Sequence, residues 1–213
     1  YEQARAGVPT VLVDRDMESA EKGKAYSKRI LDKAISRGKM TQEKADGILA
    51  LITPTDNYDD IEGADLVVEA VFENPELKAT VTKQAEAKLG PNAVFGSNTS
   101  TLPITGLAEA SERPENFIGI HFFSPVERMG LVEIIVGEKT SEETLAKAID
   151  YVLKIKKTPI VVNDFRGFYT SRCFGTYTQE GMEMLSEGIK PAIIENVGRQ
   201  SGMPMGPLEV SDS

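Results

Sequence analysis

Short apolar runs alternate with longer amphipathic stretches over the first 163 residues of this 213-residue chain. Runs such as Thr10–Val13 and Phe117–Phe122 have the length and the β-branched content of strands buried in a sheet. The stretch 17–37 carries apolar residues at helical spacing between charged ones. Strands that alternate with helices indicate an α/β fold with a doubly wound, mainly parallel sheet.

The same patterns predict the individual elements of this fold. Strands are predicted at residues 10–13, 64–74, 93–97, 117–122, 131–136 and 159–162. Helices are predicted at residues 2–6, 17–37, 41–51, 75–89, 104–107 and 142–155, with Thr41 as an N-cap. These elements form the first predicted domain, residues 1–163.

The pattern changes after residue 163, where only helical stretches remain. Helices are predicted at residues 168–188 and 192–202, followed by the helix-breaking segment "GMPMGP". We therefore expect a second domain at residues 164–213 that is the start of an all-helical domain, with too few residues to be an independent one.

Composition excludes several classes of protein. The formal net charge of −9 argues against a protein that binds the nucleic-acid backbone. A single cysteine, Cys173, allows no internal disulfide and is typical of a reducing compartment, and one cysteine with one histidine disfavours a metal site. No apolar run approaches the ~20 residues of a membrane helix, and the polar start does not look like a signal peptide. The chain is therefore predicted to work in the cytoplasm or another reducing compartment, and not to be secreted.

Asp14 ends the first predicted strand. An acidic residue at this place in a dinucleotide-binding fold accepts hydrogen bonds from the adenosine ribose. The alternative is that Asp14 is a turn or cap residue, as strand-end aspartates commonly are.

Asn98 and Ser100 lie in "SNTSTLPI", directly after a predicted strand. Open α/β sheets bind ligands at the carboxyl ends of their strands, so both side chains are candidates for contact with a cofactor or substrate. Locally, an N-cap and turn cluster before the next helix explains them equally well.

His121 is the only histidine of the chain and lies at the end of a predicted strand. Because imidazole titrates near neutral pH, it could take the proton of a substrate hydroxyl, with Glu133 as the carboxylate that orients it. The alternative is a half-buried histidine bonded to a backbone carbonyl, with Glu133 a surface residue on an edge strand.

Two further pairs of charges are weaker candidates. Glu73 and Lys78 frame the turn after the "VVEAVFEN" strand and could touch a ribose or a nicotinamide, although charges at a helix start need no ligand. Lys24 and Lys28 lie one turn apart on a predicted helix and could receive an anionic ligand group, although solvated helix charges are the commoner outcome.

Taken in order, six segments resemble the L-3-hydroxyacyl-CoA dehydrogenase family. They are "VLVDRD", "LVVEAVFENPELK", "SNTSTLPIT", "GIHFFSPVERMGLVEII", "VVNDFRGFYTSR" and "GMPMGPLEVSD". The resemblance is strongest to the dehydrogenase part of multifunctional fatty-acid oxidation enzymes, in which an enoyl-CoA hydratase region precedes the dehydrogenase.

The resemblance implies a Rossmann-type fold that binds NAD and oxidises an L-3-hydroxyacyl-CoA to the 3-ketoacyl-CoA. It implies that His121 is the general base, that Glu133 supports it and that Ser100 bonds the substrate oxygen or the nicotinamide region. Asp14 would hold the adenosine ribose, and the loop with Val71, Glu73 and Lys78 would contact the cofactor, as would Asn98.

Two substrate positions depart from the family pattern. Ser124 and Ser171 stand where many members carry asparagine, and a serine has a shorter reach. The family's first strand and glycine-rich turn are also missing, and the helical domain is short. We therefore expect the chain to be an internal piece of a longer protein, inactive by itself, that acts as a homo-oligomer or with a thiolase subunit.

Two rival functions remain open from the sequence. One is a dehydrogenase of the same fold that acts on a hydroxy acid without coenzyme A. The other is a catalytically silent module that shapes an interface in an oxidation complex.

Overall fold

The structure, a computed structural model, describes residues 1–212 and contains two compact units. The first unit runs from Tyr1 to Asp164, and the second begins at Phe165. Each unit is described by itself below.

The strands of the first unit form two sheets. They are β1 (Thr10–Val13), β2 (Ile52–Thr55), β3 (Leu66–Glu69), β4 (Val94–Ser97), β5 (Phe117–Phe122), β6 (Leu131–Val136) and β7 (Thr158–Asn163). β1 and β2 pair in parallel, and the remaining strands form a five-stranded sheet in the order β3-β4-β5-β6-β7. All neighbours in that sheet are parallel except β5 and β6, which are antiparallel. The predicted mainly parallel sheet is confirmed.

The helices of the first unit connect these strands. They are α1 (Glu2–Arg5), α2 (Met17–Ser36), α3 (Gln42–Ala50), α4 (Pro75–Glu86), α5 (Ile104–Leu107) and α6 (Glu142–Lys154), with short 3-10 helices at Tyr58–Ile61, Ala108–Ala110 and Pro114–Asn116. Side-chain caps begin the longer helices, because each cap accepts a backbone N–H that has no partner inside the helix. The predicted cap Thr41 accepts from the N–H of Lys44.

β2 is a strand that the sequence pattern does not reveal. Its sequence, "ITPT", is short, and Pro54 has no N–H to donate. Within the two-stranded sheet β2 has a single neighbour, so this missing donor is tolerated. Pairing with β1, about forty residues earlier in the chain, creates this strand.

The core of the five-stranded sheet lies around β5 and β6. Ile118, Ile120, Val132 and Ile134 are fully buried and pack against Ala148 and Val152 of α6. This packing holds β5 and β6 rigidly, and these two strands carry His121 and Glu133.

Helices are the only regular secondary structure among the described residues of the second unit. It contains α7 (Thr170–Ser186), α8 (Pro191–Gln200) and α9 (Pro207–Ser211). The sequence pattern predicts the first two but not α9, which follows the "GMPMGP" break. Gly181 explains how α9 packs on α7, since a Cβ there would lie 2.6 Å from the Pro207 ring. No helix among the described residues is long and apolar enough to cross a membrane.

Candidate functional site

The carboxyl ends of β3, β4 and β5 meet at one edge of the five-stranded sheet. Glu69 is in register with Ser97, and Ser97 with Gly119. The residues that follow these three strands therefore share the edge at which open α/β sheets bind ligands. Glu73, Ser100 and His121 all follow those register positions.

His121 and Glu133 face each other across β5 and β6. They are register partners in the antiparallel pair, and Nδ1 of His121 lies 2.8 Å from Oε2 of Glu133. His121 is 7% exposed and Glu133 is 0% exposed. Glu133 lies on an interior strand, so the alternative of a surface carboxylate on an edge strand is wrong.

This pair can act as a base. A carboxylate only accepts hydrogen bonds, so an ionised Glu133 places the proton of a neutral imidazole on Nδ1. Nε2 is then the ring atom that can take a proton, and Glu133 stabilises the imidazolium that forms.

Gly119 allows β5 to lie close to its neighbours two residues before His121. A Cβ at this position would lie 2.8 Å from the Cβ of Ile135 and 2.8 Å from Cδ1 of Ile104. Any larger residue would push β5 away from β6, and the register pair beside Gly119 would move with it.

Phe123 packs on the imidazole from the loop that follows β5. Its ring centroid lies 4.5 Å from that of His121, at an interplanar angle of 51°. The loop after β5 is thus in contact with the candidate base.

Glu73 is the centre of a second cluster at this edge. Its Oε1 accepts hydrogen bonds from the N–H of Ser100 at 2.7 Å, the Oγ of Ser100 at 3.1 Å and the Oγ1 of Thr99 at 2.8 Å. Partial burial raises the pKa of Glu73, but these bonds and the charge of Lys78 outweigh it, so the pKa lies below its ordinary value. The structure therefore brings the predicted residues Glu73 and Ser100 together, and Thr99 is a member that the sequence did not single out.

Lys78 lies beneath this cluster and is almost wholly buried. Its Nζ lies 2.9 and 3.1 Å from the two carboxylate oxygens of buried Glu69, 3.3 Å from the carbonyl of Val71 and 3.4 Å from Glu73. Glu69 also accepts from the Oγ of Ser97 and, at 3.1 Å, from the N–H of Val71. An ammonium with three N–H donors is occupied by these acceptors, so Lys78 holds the loop after β3 in place. Sequence reasoning missed Glu69 and Ser97 in this role; an acidic residue at the end of an apolar strand was the available signal.

Asn98 ties the ends of β4 and β5 together. Its side-chain oxygen accepts a hydrogen bond of 2.8 Å from the N–H of Phe122. This bond fixes the turn after β4 against the strand that carries His121.

Asp14 lies exposed at the end of β1. Its Oδ1 accepts from the N–H of Arg15 at 2.8 Å, and its Oδ2 has no hydrogen-bond partner among residues 1–212. Burial raises the pKa of Tyr58, and the negative charge of nearby Asp14 raises it further. Tyr58 follows the unpredicted strand β2, which explains why the sequence did not place it beside Asp14.

The remaining candidates lie elsewhere. Lys24 and Lys28 are on α2, which packs against β1 and β2, and Lys28 forms an ion pair of 2.7 Å with Asp32.

Ser124 is exposed in the loop after β5. Ser171 lies on α7 in the second unit, where it lines a surface pocket with Arg172 and Thr176.

Comparison with known families places both parts of the chain. The profile for the NAD-binding domain of 3-hydroxyacyl-CoA dehydrogenase matches residues 1–165, and the profile for the C-terminal domain matches residues 167–213. These matches and the sheet described above make the first unit a Rossmann-type NAD-binding domain, so the predicted fold and the predicted cofactor are confirmed.

Solved structures with the same fold include dehydrogenases from three organisms. (S)-3-hydroxybutyryl-CoA dehydrogenase from Ralstonia eutropha is 36% identical, with a TM-score of 0.95 over 99% of this chain and 75% of that one. 3-Hydroxybutyryl-CoA dehydrogenase from Escherichia coli is 30% identical, with a TM-score of 0.95 over 99% of this chain and 45% of that one. The dehydrogenase part of multifunctional enzyme 1 from C. elegans is 27% identical, with a TM-score of 0.72 over 97% of this chain and 47% of that one.

The described residues fit an NAD cofactor at two places. Asp14 offers a free, exposed carboxylate oxygen, as a ribose diol requires. The loops after β3 and β4 offer hydroxyl, amide and carboxylate groups whose positions are held by internal hydrogen bonds.

Proposed function

Because this chain belongs to the 3-hydroxyacyl-CoA dehydrogenase family, we propose that it oxidises L-3-hydroxyacyl-CoA to 3-ketoacyl-CoA with NAD+. One observation carries this proposal: a buried imidazole with a fully buried carboxylate on Nδ1, 2.8 Å away, at the ligand-binding edge of an NAD-binding sheet. Oxidation of a secondary alcohol needs a base for the hydroxyl proton, and this pair supplies one.

His121 has the role of general base in this proposal. Nε2 removes the proton of the C3 hydroxyl, and the imidazolium that results is stabilised by the fully buried Glu133. When bound, NAD+ supplies the acceptor for the hydride that leaves C3. In the reverse direction the imidazolium returns its proton to the oxygen of the ketone.

The cofactor contacts are proposed from the two clusters. Asp14 would accept hydrogen bonds from the adenosine ribose. The loop with Val71 and Glu73, the Asn98 amide and the Ser100 hydroxyl would face the nicotinamide half. Since its donors are occupied within the protein, Lys78 would act by holding that loop.

The substrate contacts are proposed only from where these residues stand in the sequence. Ser100 would donate its hydroxyl hydrogen to the oxygen on C3, because the C3 hydroxyl gives its own hydrogen to Nε2 of His121; the hydroxyl would then leave Glu73, which keeps the bond from the N–H of Ser100. Ser124 and Ser171 would contact the acyl-CoA, and Lys24 and Lys28 would receive its phosphate groups.

The test is the substitution His121→Gln in the protein that contains this chain. In this assay His121 acts as the acid that protonates the ketone oxygen, so without it kcat for reduction of acetoacetyl-CoA by NADH should fall on the order of 10²–10⁴-fold. The Kd for NADH, measured by fluorescence titration, should change less than about twofold, because the variant removes a proton carrier and not a cofactor contact.

Three results of this test contradict the proposal. Unchanged turnover in His121→Gln removes His121 as the base. Equal activity of the unaltered protein with free acetoacetate and acetoacetyl-CoA favours a substrate without coenzyme A. Failure of the unaltered protein to bind NADH favours a silent module.

We further propose that the reaction serves fatty-acid oxidation within a larger assembly. The similarity to the dehydrogenase part of a multifunctional enzyme supports this setting. The intact protein would form a homo-oligomer, or a complex with a thiolase subunit that receives the 3-ketoacyl-CoA. Light scattering of the intact protein, alone and with the thiolase, would measure both assemblies; a monomer that binds no thiolase contradicts the proposal.

A further inference from the structure

Lys157 is a buried lysine outside both clusters described above. It directly precedes β7 and is 8% exposed. Its Nζ lies 2.6 Å from the carbonyl oxygen of Val126 and 2.7 Å from that of Met129. Within residues 1–212 no carboxylate forms an ion pair with it, so carbonyl dipoles compensate its charge.

The backbone around Lys157 is held on both sides. Its own N–H donates to the carbonyl of Val152 at the end of α6, and the next N–H, of Thr158, donates to the carbonyl of Gly130 at 2.7 Å. The ammonium therefore extends from a rigid junction between a helix and a strand, and it loses little freedom in reaching the loop.

The two carbonyls belong to the loop between β5 and β6, residues 123–130. Within it, the N–H groups of Arg128 and Met129 donate to the carbonyl of Pro125, at 2.9 and 3.1 Å, and form a turn. A turn of this kind leaves carbonyls without partners at its end, and a cation there satisfies them, as it does at a helix C-terminus.

The same loop is joined to the catalytic pair at both ends. It connects the strand of His121 to the strand of Glu133, and its first residue, Phe123, packs on the imidazole. Ser124 comes next. A displacement of the loop thus moves the ring packed on the base and the residue proposed to contact the substrate.

We infer that Lys157 is a positioning residue, which fixes the loop of residues 123–130 so that the acyl-CoA binds beside His121. The inference rests on the proposed function for its consequence in catalysis. The side chain acts through Val126 and Met129 and does not touch the reacting atoms.

The test compares Lys157→Met with Lys156→Met, in the intact protein. The control removes an adjacent lysine that is exposed. Lys157→Met should lower kcat/KM for acetoacetyl-CoA about tenfold, since small misplacements of reacting groups cost a rate factor of this size or larger. KM for NADH should change less than about twofold, and the control should change neither constant.

Hydrogen exchange separates the positioning role from the proposed function. In Lys157→Met the amides of Arg128 and Met129 should exchange at least about tenfold faster than in Lys156→Met, with the core amides of β5 unchanged, because only the local opening becomes easier. If the unaltered protein does not turn over acetoacetyl-CoA, the proposed function fails while exchange still decides the role of Lys157. Equal exchange in both variants, or faster exchange throughout the protein with a matching rise in KM for NADH, overturns the inference.

Discussion

Two clusters at the same edge of the sheet hold a carboxylate in different ways. The first, which we call the strand pair, is His121 with Glu133, and the second, the loop cluster, is Glu73 with Lys78, Thr99 and Ser100. In the strand pair the backbone register of β5 and β6 sets the 2.8 Å contact, and the carboxylate is fully buried. In the loop cluster the carboxylate is 38% exposed and is held by side-chain and backbone donors from the turn after β4.

The difference corresponds to the work proposed for each cluster. Proton transfer needs a fixed distance from the carboxylate and a strong electrostatic interaction with it. The backbone hydrogen bonds between β5 and β6 fix the distance, and burial strengthens the interaction. Contact with a cofactor that enters and leaves needs accessible polar groups, whose positions are set by a local network. The substitutions below test whether the backbone holds the first cluster and the side chains hold the second.

Glu133→Gln should have the largest effect, because it removes the charge from the strand pair and keeps its shape. The imidazolium formed in catalysis loses its counter-charge, and kcat should fall on the order of 10²–10⁴-fold in steady-state assays. Glu138→Gln, an exposed position just after β6, should leave kcat unchanged. A kcat for Glu133→Gln within about threefold of that of the unaltered protein would exclude a catalytic role for this carboxylate.

Gly119→Ala tests the backbone that positions the strand pair. Its Cβ would lie 2.8 Å from the Cβ of Ile135, its register partner, so the variant should lose about 1–3 kcal/mol in the free energy of unfolding. Gly47→Ala in α3 is the control, because nothing lies within 4 Å of its new Cβ; it should gain up to about 1 kcal/mol. Urea titration measures both, and an unchanged midpoint for Gly119→Ala would show that β5 tolerates the displacement.

Glu73→Gln tests the side chains that hold the loop cluster, and should have the smallest effect. It weakens charge-assisted bonds from Ser100 and Thr99, and the Kd for NADH should rise about tenfold in a fluorescence titration. Glu76→Gln, an exposed position on α4, should leave this Kd unchanged. A Kd that does not move in Glu73→Gln would exclude this carboxylate from cofactor binding.

Low pH should protonate Glu73 of the loop cluster and lower the stability of the folded protein. The pKa of Glu73 lies below its ordinary value of 4.5, so its ionised form stabilises the folded protein above pH 4.5. That stabilisation is lost as the pH falls below 4.5 through the lowered pKa. Acid unfolding curves of Glu73→Gln should lack this contribution; identical acid dependence in both proteins would contradict it.

Much of the strand pair could be predicted from the sequence. The apolar runs around His121 and Glu133 predict both strands at the bounds that the structure has, and a histidine at the end of such a strand marks the ligand-binding edge. Glu133 was a plausible partner, but an edge strand with an exposed carboxylate fitted the same pattern. The antiparallel pairing decided between the two, and it depends on the order of strands in the sheet.

Less could be predicted of the loop cluster, or of the contact between Lys157 and the loop of residues 123–130. Glu73, Lys78 and Ser100 were candidates, but nothing local indicated that buried Glu69 holds Lys78 or that Lys157 reaches the carbonyls after β5. These contacts join residues 9 and 31 positions apart through turns whose paths the side-chain pattern does not encode. The strand β2 and the helix α9 were missed for the same reason, since each exists through packing on a distant element.

The sequence by itself determined the α/β alternation, the change to helices after residue 163 and the motifs of the family. Each of these follows from the periodicity and identity of residues close together along the chain. Only the tertiary structure decided that Glu133 is buried against His121 and that Lys157 supports the loop between them. Register and burial come from contacts between distant segments, and a polar residue has the same local pattern whether it faces solvent or a buried partner.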